Sequence, residues 1–575
     1  MSPRTGALGM QHGWTDAAAP AVALALLGVT VSVLCCTGRR GEPPADLVLV
    51  GGAVVTMDPE APEAEAVAVR SGLIAAVGAD EAILALAGPS TRRIDLEGAM
   101  VVPGLIDAHA HVRSLGRRLA GLDLRGAGSV EEVARRVAAR AAELPPGEWV
   151  TGGGWDQNLW PGGRFPDHRP LTGAAPARPV WLTRVDGHAG WANRRAMELA
   201  GVTRDTPDPP GGTIERDERG EPTGVFIDNA TDLIEAARPR PTREQIKSWI
   251  VSALRRCAAA GLTEIHDAGV SEEEAAAYRE LADEGRLPLR AYLMWSGMNG
   301  EPLERLLERP PLINYRNRVT LRAVKLMIDG AMGSRGAAFF EDYADDPGNR
   351  GLLVTPPEAI EAAAALALRR GYQVCTHAIG DRGIRLTLEA YEAALAAVPA
   401  EDPRPRIEHL QCTTREDIAR LKRLGVIASM QPSHATSDMD WAEERIGAER
   451  GRGLYAWRWV LEAGVTIAAG SDFPVEPERP LIGIHSAVTR RDLDGRPPGG
   501  WHPEQAMSLD EALRAYTIGA AYAAFEENTK GRIAPGLWAD LTVIEQDLRA
   551  LPPERIPDAG IAYTIVGGEV VYEAR

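Results

Sequence analysis

Val101-Val102-Pro103-Gly104-Leu105-Ile106-Asp107-Ala108-His109-Ala110-His111 is the stretch on which the reading of the chain turns. An apolar run is stopped by Pro-Gly, restarts as a short apolar strand, and ends in two histidines separated by one residue. On an extended strand, positions i and i+2 face the same way, so both imidazoles reach one point beyond the strand end. With only 11 histidines in 575 residues, the pair reads as a metal chelate and not as two unrelated strand residues.

The same pattern recurs downstream. Apolar strands are expected at Leu262 to Asp267, Ala323 to Asp329, Tyr372 to His377, Arg406 to His409, Val426 to Gln431 and Val465 to Asp472. Between them run amphipathic Ala/Glu/Arg/Leu helices, of which Glu131 to Arg140 is an example. Strand–helix alternation means a parallel sheet. More than six such units without a Gly-x-Gly-x-x-Gly start favour a (β/α)8 barrel over a doubly wound sheet. A bare barrel needs only ~250 residues, so an insertion is expected, at about 144–240, where Gly, Pro and Trp concentrate. His377, His409 and Asp472 end or immediately follow apolar strands, as His109 and His111 do. Since the C-terminal ends of barrel strands form the active-site rim, five ligand-type residues at four such ends point to a metal centre.

Both flanks of the barrel read differently. Residues 46–102 and 531–575 are short strands broken by Gly-Gly and Ser-Gly turns, which predicts one β-sandwich built from both ends, with the barrel at 103–530. Residues 1–45 carry an apolar run, Ala17 to Leu34, then Cys35-Cys36. This reads as a signal or lipoprotein segment, or as an N-terminal membrane anchor. Either places the protein in the cell envelope; a misassigned start codon would make it cytoplasmic. A net charge of −17 and a pI near 5.3 argue against a nucleic-acid partner. Cys257, Cys375 and Cys412 are scattered, with no Cys-x-x-Cys, so they are expected to be small buried hydrophobes and not a disulfide framework or a metal site.

The quoted motifs, with Gly152-Gly153-Gly154-Trp155-Asp156-Gln157, Val185-Asp186-Gly187-His188, Lys325 through Asp329-Gly330-Ala331-Met332-Gly333-Ser334-Arg335, Thr376-His377-Ala378-Ile379-Gly380-Asp381, Arg406-Ile407-Glu408-His409 and Gly470-Ser471-Asp472, resemble the amidohydrolase superfamily. Within it the chain is most similar to the amidohydrolase-3 branch, the YtcJ-like and N-substituted formamide deformylase-like enzymes. The resemblance implies a distorted TIM-type barrel and one or two divalent ions, for which zinc suits the imidazole and carboxylate donors best. It implies that His109 and His111 hold the more buried ion with Asp472, that His377 and His409 hold a second, and that Lys325 bridges both once carbamylated. A plain ammonium has no lone pair to give; the alternative for Lys325 is an ion pair with Asp329.

The implied activity is hydrolysis of a C–N bond, in an amide or N-substituted formamide, by a metal-activated hydroxide with Asp472 as general acid and base. The substrate would be a small-molecule amide. A deaminase of the same superfamily is the second reading, although deaminases lack the lysine, and a non-catalytic scaffold of this fold is the third. Dimers are common in the superfamily, so a homodimer is an expectation. Weaker candidates complete the site. His188 could contact substrate or brace its own loop. Arg335 could bind a substrate carboxylate or pair with Glu341 or Asp342. His434 could orient the substrate, and Trp155 could line the pocket or merely pack. His266, beside Asp267, reads as structural.

Overall fold

The computed structural model describes residues 43–145, 147–297 and 302–574. The expected signal or anchor segment at 1–45 lies almost wholly outside them. Among the described residues, no helix is long and apolar enough to cross a membrane.

Eight parallel strands form the barrel: β1 (Leu105–Ala110), β2 (Leu262–Val270), β3 (Arg290–Ser296), β4 (Val319–Met327), β5 (Gln373–Ala378), β6 (Arg406–His409), β7 (Ile427–Met430) and β8 (Ile467–Ala469). They follow one another around the sheet in chain order. No ladder joins β1 to β8, which are linked instead by loop contacts at the site, so the barrel is distorted and nearly closed. Nearly every strand residue is buried, as expected of a parallel sheet covered by helices. β3 is the strand whose sequence did not announce itself: Arg290-Ala291-Tyr292 opens with a charge that only a buried partner can tolerate.

The sandwich explains the Pro-Gly break. Met100–Pro103 pairs in parallel with Ala53–Val55 and antiparallel with Leu541–Ile544, Leu541 facing Pro103. The chain then turns through Gly104, whose amide donates to Asp540 O at 2.7 Å, and enters β1. A Cβ at Gly104 would lie 2.3 Å from the Thr263 hydroxyl, so only glycine fits at this crossing. Leu47, Val67, Ile94, Val101, Leu541 and Ile565 share one apolar core, which is how residues from both ends of the chain form one sandwich.

Between β1 and β2, a six-stranded sheet runs from Leu122–Asp123 to Pro222–Asp228. It begins upstream of residue 144 because helix Val130–Glu143 packs Val133 and Val137 into the same core as Val150, Trp155 and Trp191. The next helix, Arg243–Ala259, started by a Thr242/Gln245 capping box, packs against the barrel.

One buried ion pair ties barrel to sandwich. Arg290 of β3 holds Asp540 through Nε and Nη2, at 2.7 and 3.0 Å, with both side chains 4% exposed. Removing one partner of such a pair leaves an uncompensated buried charge. Asp540→Ala is therefore expected to lower unfolding free energy by about 3–5 kcal/mol, read from the urea midpoint; a loss below about 1 kcal/mol would show that the two parts do not depend on this contact.

Candidate metal centre

The site forms where β1 and β8 meet. Asp107, inside β1, accepts from Ser471 N at 3.0 Å and from Ser471 Oγ at 2.6 Å. Asp472 N donates to His109 O at 2.7 Å, and His111 N to Phe473 O at 2.8 Å. The seam therefore fixes His109, His111 and Asp472 relative to one another. Asp472 and His409 both adopt left-handed backbone, at φ 58° and 75°. For a non-glycine residue this is an unfavourable conformation, typical of a functional site held by its surroundings.

The structure brings His109, His409 and Asp472 together, with one ligand atom of each within 4.8 Å of the others. His109 Nε2 lies 3.5 Å, and His111 Nε2 3.1 Å, from Asp472 Oδ1. That oxygen is buried without a hydrogen-bond donor. Lys325 Nζ lies 3.2 Å from His109 Nε2. It does not pair with Asp329, whose oxygens are taken by the amides of Ala338, Ile379 and Gly380. His377 stands beside the cluster, its ring 4.5 Å from that of His409, but its Nε2 turns toward Gly330 O at 3.4 Å.

Two groups that sequence reasoning missed set the imidazole tautomers. Glu408 Oε2 accepts from His109 Nδ1 at 2.5 Å, and Gln431 Oε1 accepts from His409 Nδ1 at 2.8 Å. Each ring thus offers its Nε2 lone pair to the centre. Arg406 braces Glu408 in turn, with Nε 2.8 Å from Oε1. The signal lay in Arg406-Ile407-Glu408-His409: two charged residues at i and i+2 of a buried strand point inward together and must neutralise each other. His266 belongs to the layer beneath, with Nδ1 3.1 Å from Arg406 and Nε2 3.4 Å from Glu264. Its structural reading holds, through Arg406 and not through Asp267.

The electrostatics suit a cation. Burial and the neighbouring Lys325 push His109 down to about 4, while burial and charged neighbours push His377 and His409 well below the usual imidazole range. These rings are neutral at pH 7. Burial opposes ionisation of Asp472, yet the imidazoles around it hold its carboxyl well below the usual range. Burial also lowers Lys325. Neutral imidazoles, an ionised carboxylate and an orphaned buried oxygen are what a divalent ion requires. A Lys325 ammonium at its present distance would instead occupy the lone pair of His109.

The weaker candidates divide. His188, on the loop after inserted strand Val180–Arg184, reaches the barrel mouth. Its Nδ1 lies 2.8 Å from Asp228 Oδ1. Burial opposes its charge, but Asp228 and Asp186 hold it above the usual range, and its charge acts on His377 and feels Asp472. His434 is buried, its ring stacked 6.0 Å from that of His409. Arg335 is engaged by Asp345, 2.8 Å away, and by neither Glu341 nor Asp342. The expectation for Trp155 as a pocket wall is corrected: it is fully buried, its indole donates to Leu182 O at 2.9 Å, and it packs against Trp160 and Trp191 inside the inserted layer. The three cysteines are free and buried, as expected.

A strand-end cluster of this kind in a nearly closed barrel defines a hydrolase of the metal-dependent barrel class. The chain belongs to the amidohydrolase family, whose sequence profile matches residues 92–572. It is similar to the putative amidohydrolase YtcJ of Bacillus subtilis (strain 168), 33% identical over 91% of this chain and 98% of that protein. It is also similar to the N-substituted formamide deformylase of Arthrobacter pascens, 29% identical over 92% and 98% of the two chains. Among solved structures, an uncharacterized metal-dependent hydrolase from Pyrococcus horikoshii OT3 superposes with a TM-score of 0.73, at 26% identity, over 88% of this chain and 99% of that one.

Loss of an outer hydrogen bond to a ligating histidine costs ~10–100-fold in metal affinity. Glu408→Gln is expected to show that loss for zinc in competition with a chromophoric chelator. Unchanged affinity would mean that His109 is oriented by other contacts.

Proposed function

We propose that the chain hydrolyses the C–N bond of a small-molecule amide or N-substituted formamide, using one or two zinc ions. The observation that carries this reading is the buried trio of His109, His409 and Asp472, with Lys325 beside it. The similarity to an N-substituted formamide deformylase supports the choice of bond. His109, His111 and Asp472 would hold one ion and His377 and His409 the other, with Lys325 as a carbamate between them. The donor set suits zinc, and a bound ion would supply Lewis acidity toward water and the substrate carbonyl.

The protein's own groups then divide the remaining work. Asp472 accepts the proton of the attacking water and passes it to the leaving nitrogen, a role open to a carboxylate held ionised at the centre. Its left-handed backbone is fixed by the seam, and its Oδ1 lies 3.1 Å from His111 Nε2. His188, whose charged form Asp228 and Asp186 favour against the effect of burial, would donate to the carbonyl oxygen as it gains charge. Glu408 and Gln431 hold the imidazoles in the tautomer that leaves Nε2 free.

Asp472→Asn is expected to keep its metal, measured by elemental analysis, while turnover on N-benzylformamide or N-acyl amides falls by ~10²–10⁴. Normal turnover would remove Asp472 from proton transfer. Lys325→Met is expected to reduce zinc from near two ions per chain to near one; an unchanged count would exclude a bridging role.

A further inference from the structure

Arg490 carries a buried charge that no carboxylate pairs with among the described residues. It stands at the C-terminal cap of the helix Pro480–Thr489, in a left-handed backbone at φ 57°, and is 0% exposed. The loop that follows closes back onto it. Trp501 N donates to Arg490 O at 2.8 Å, and Gly500 permits the approach, since a Cβ there would lie 2.5 Å from Thr489 O. The guanidinium donates from Nε to Trp501 O at 2.7 Å and from Nη1 to Tyr455 O at 3.2 Å. Both acceptors are neutral carbonyls. Glu504, whose charge reaches Arg490, has a side chain 63% exposed to solvent and forms no ion pair with it. Burial pushes the guanidinium down to about 9, so it stays charged at pH 7. A buried charge without a counter-ion is strongly unfavourable.

The donors left over point to what compensates it. Arg490 Nη2 is buried and has no hydrogen-bond partner. Neither has Nε1 of Trp457, a residue that is also 0% exposed. The two side chains are stacked neighbours. The guanidinium carbon lies 4.3 Å from the centre of the Trp457 ring and 5.2 Å from that of Trp501. Cation–π attraction to the indoles offsets part of the charge. A π face is nevertheless a weak acceptor and does not replace a hydrogen bond at Nη2 or at the indole N–H. Buried polar atoms are almost always satisfied. Two adjacent unpartnered donors, one of them on an unpaired cation, call for an acceptor that is itself negative. Because both side chains are closed to solvent, that acceptor is small.

We propose that Arg490 and Trp457 form a buried site for a monatomic anion, of which chloride has the right charge and size, held by Arg490 Nη2 and Trp457 Nε1. The ion balances the charge of the segment behind the candidate metal centre. Arg490 holds the Tyr455 carbonyl, and the Tyr455 hydroxyl donates to Asp438. Tyr455 N donates to Gln411 O at 2.7 Å, two residues beyond His409. Anion binding therefore braces the wall on which His409 stands, whatever the metal content or the substrate. A water molecule in the same place would satisfy both donors but leave the charge unbalanced.

The test is thermal melting of the full-length protein in sodium chloride and in sodium gluconate, whose anion is too large for the site, at equal ionic strength. Crystals grown in sodium bromide locate the ion. The expected result is a melting temperature that rises by about 1–3 °C and saturates with chloride, as ligand-linked stability does. An anomalous bromine peak is expected within hydrogen-bond reach of Arg490 Nη2 and Trp457 Nε1. Trp457→Phe keeps a ring and removes the N–H, and should raise the half-saturating chloride concentration about 10-fold. Arg490→Met should abolish the chloride effect, whereas Arg491→Met, at the partly exposed neighbouring position, should retain it. Equal melting of the wild type in the two salts overturns the proposal, whether the crystal shows a water there or an adventitious ion only. So does a bromine peak only elsewhere, or a chloride effect unchanged in Trp457→Phe. The wild-type comparison decides even if Arg490→Met fails to fold.

Discussion

The contact between Asp107 and Ser471 joins residues 364 positions apart in the chain, and the rest of the site depends on it. Seven of the barrel's eight junctions are ladders of backbone hydrogen bonds. The eighth, between β1 and β8, is made by side chain and loop, and it is there that the candidate ligands meet. Gly470 permits the approach: a Cβ on it would lie 2.5 Å from His109 N. Burial pushes Asp107 up to about 7, against the Ser471 hydrogen bonds that favour its ionised form. A seam closed by a few specific contacts can place His109 O against Asp472 N and hold Asp472 in a left-handed backbone that a regular ladder would not allow.

Beneath the centre the barrel interior is polar in an organised way. Glu408 links His109 to Arg406, Arg406 reaches His266, and His266 faces Glu264, which pairs with Lys530. Replacing any one member leaves a buried charge alone. Such a chain contributes less to net stability than to a single arrangement of the imidazoles above it. The inserted sheet plays a complementary part from outside. Its aromatic core of Trp155, Trp160 and Trp191 is packing, and the loop bearing His188 is what it brings to the barrel mouth.

Much of this was legible in the chain. His-x-His after an apolar strand, and histidine or aspartate at three further strand ends, give the barrel and the residues that gather at its candidate centre because strand period and strand-end position are local properties. The strands flanking Pro103-Gly104 announced the sandwich for the same reason. What stayed hidden was pairing across distance. Glu408 read as a residue next to a ligand, and only the inward face of β6 shows it bonded to His109. Trp155 read equally as pocket or core, because a sequence does not say which side of a sheet is covered. Arg335 is followed by four acidic residues, Glu341, Asp342, Asp345 and Asp346, and loop geometry chose Asp345.

The sequence by itself determined the class of fold, the donor types and the order in which they appear, since these follow from hydrophobic period, turn residues and the chemistry of imidazole and carboxylate. The tertiary structure decided which nitrogen of each imidazole is free and which carboxyls are held ionised. Those properties depend on burial and on partners hundreds of residues away, through desolvation and Coulomb interactions that no local pattern encodes. The Pro103-Gly104 break illustrates both: its residue types mark a chain reversal, while the 2.3 Å that a Cβ there would leave to Thr263 Oγ1 exists only once barrel and sandwich have packed.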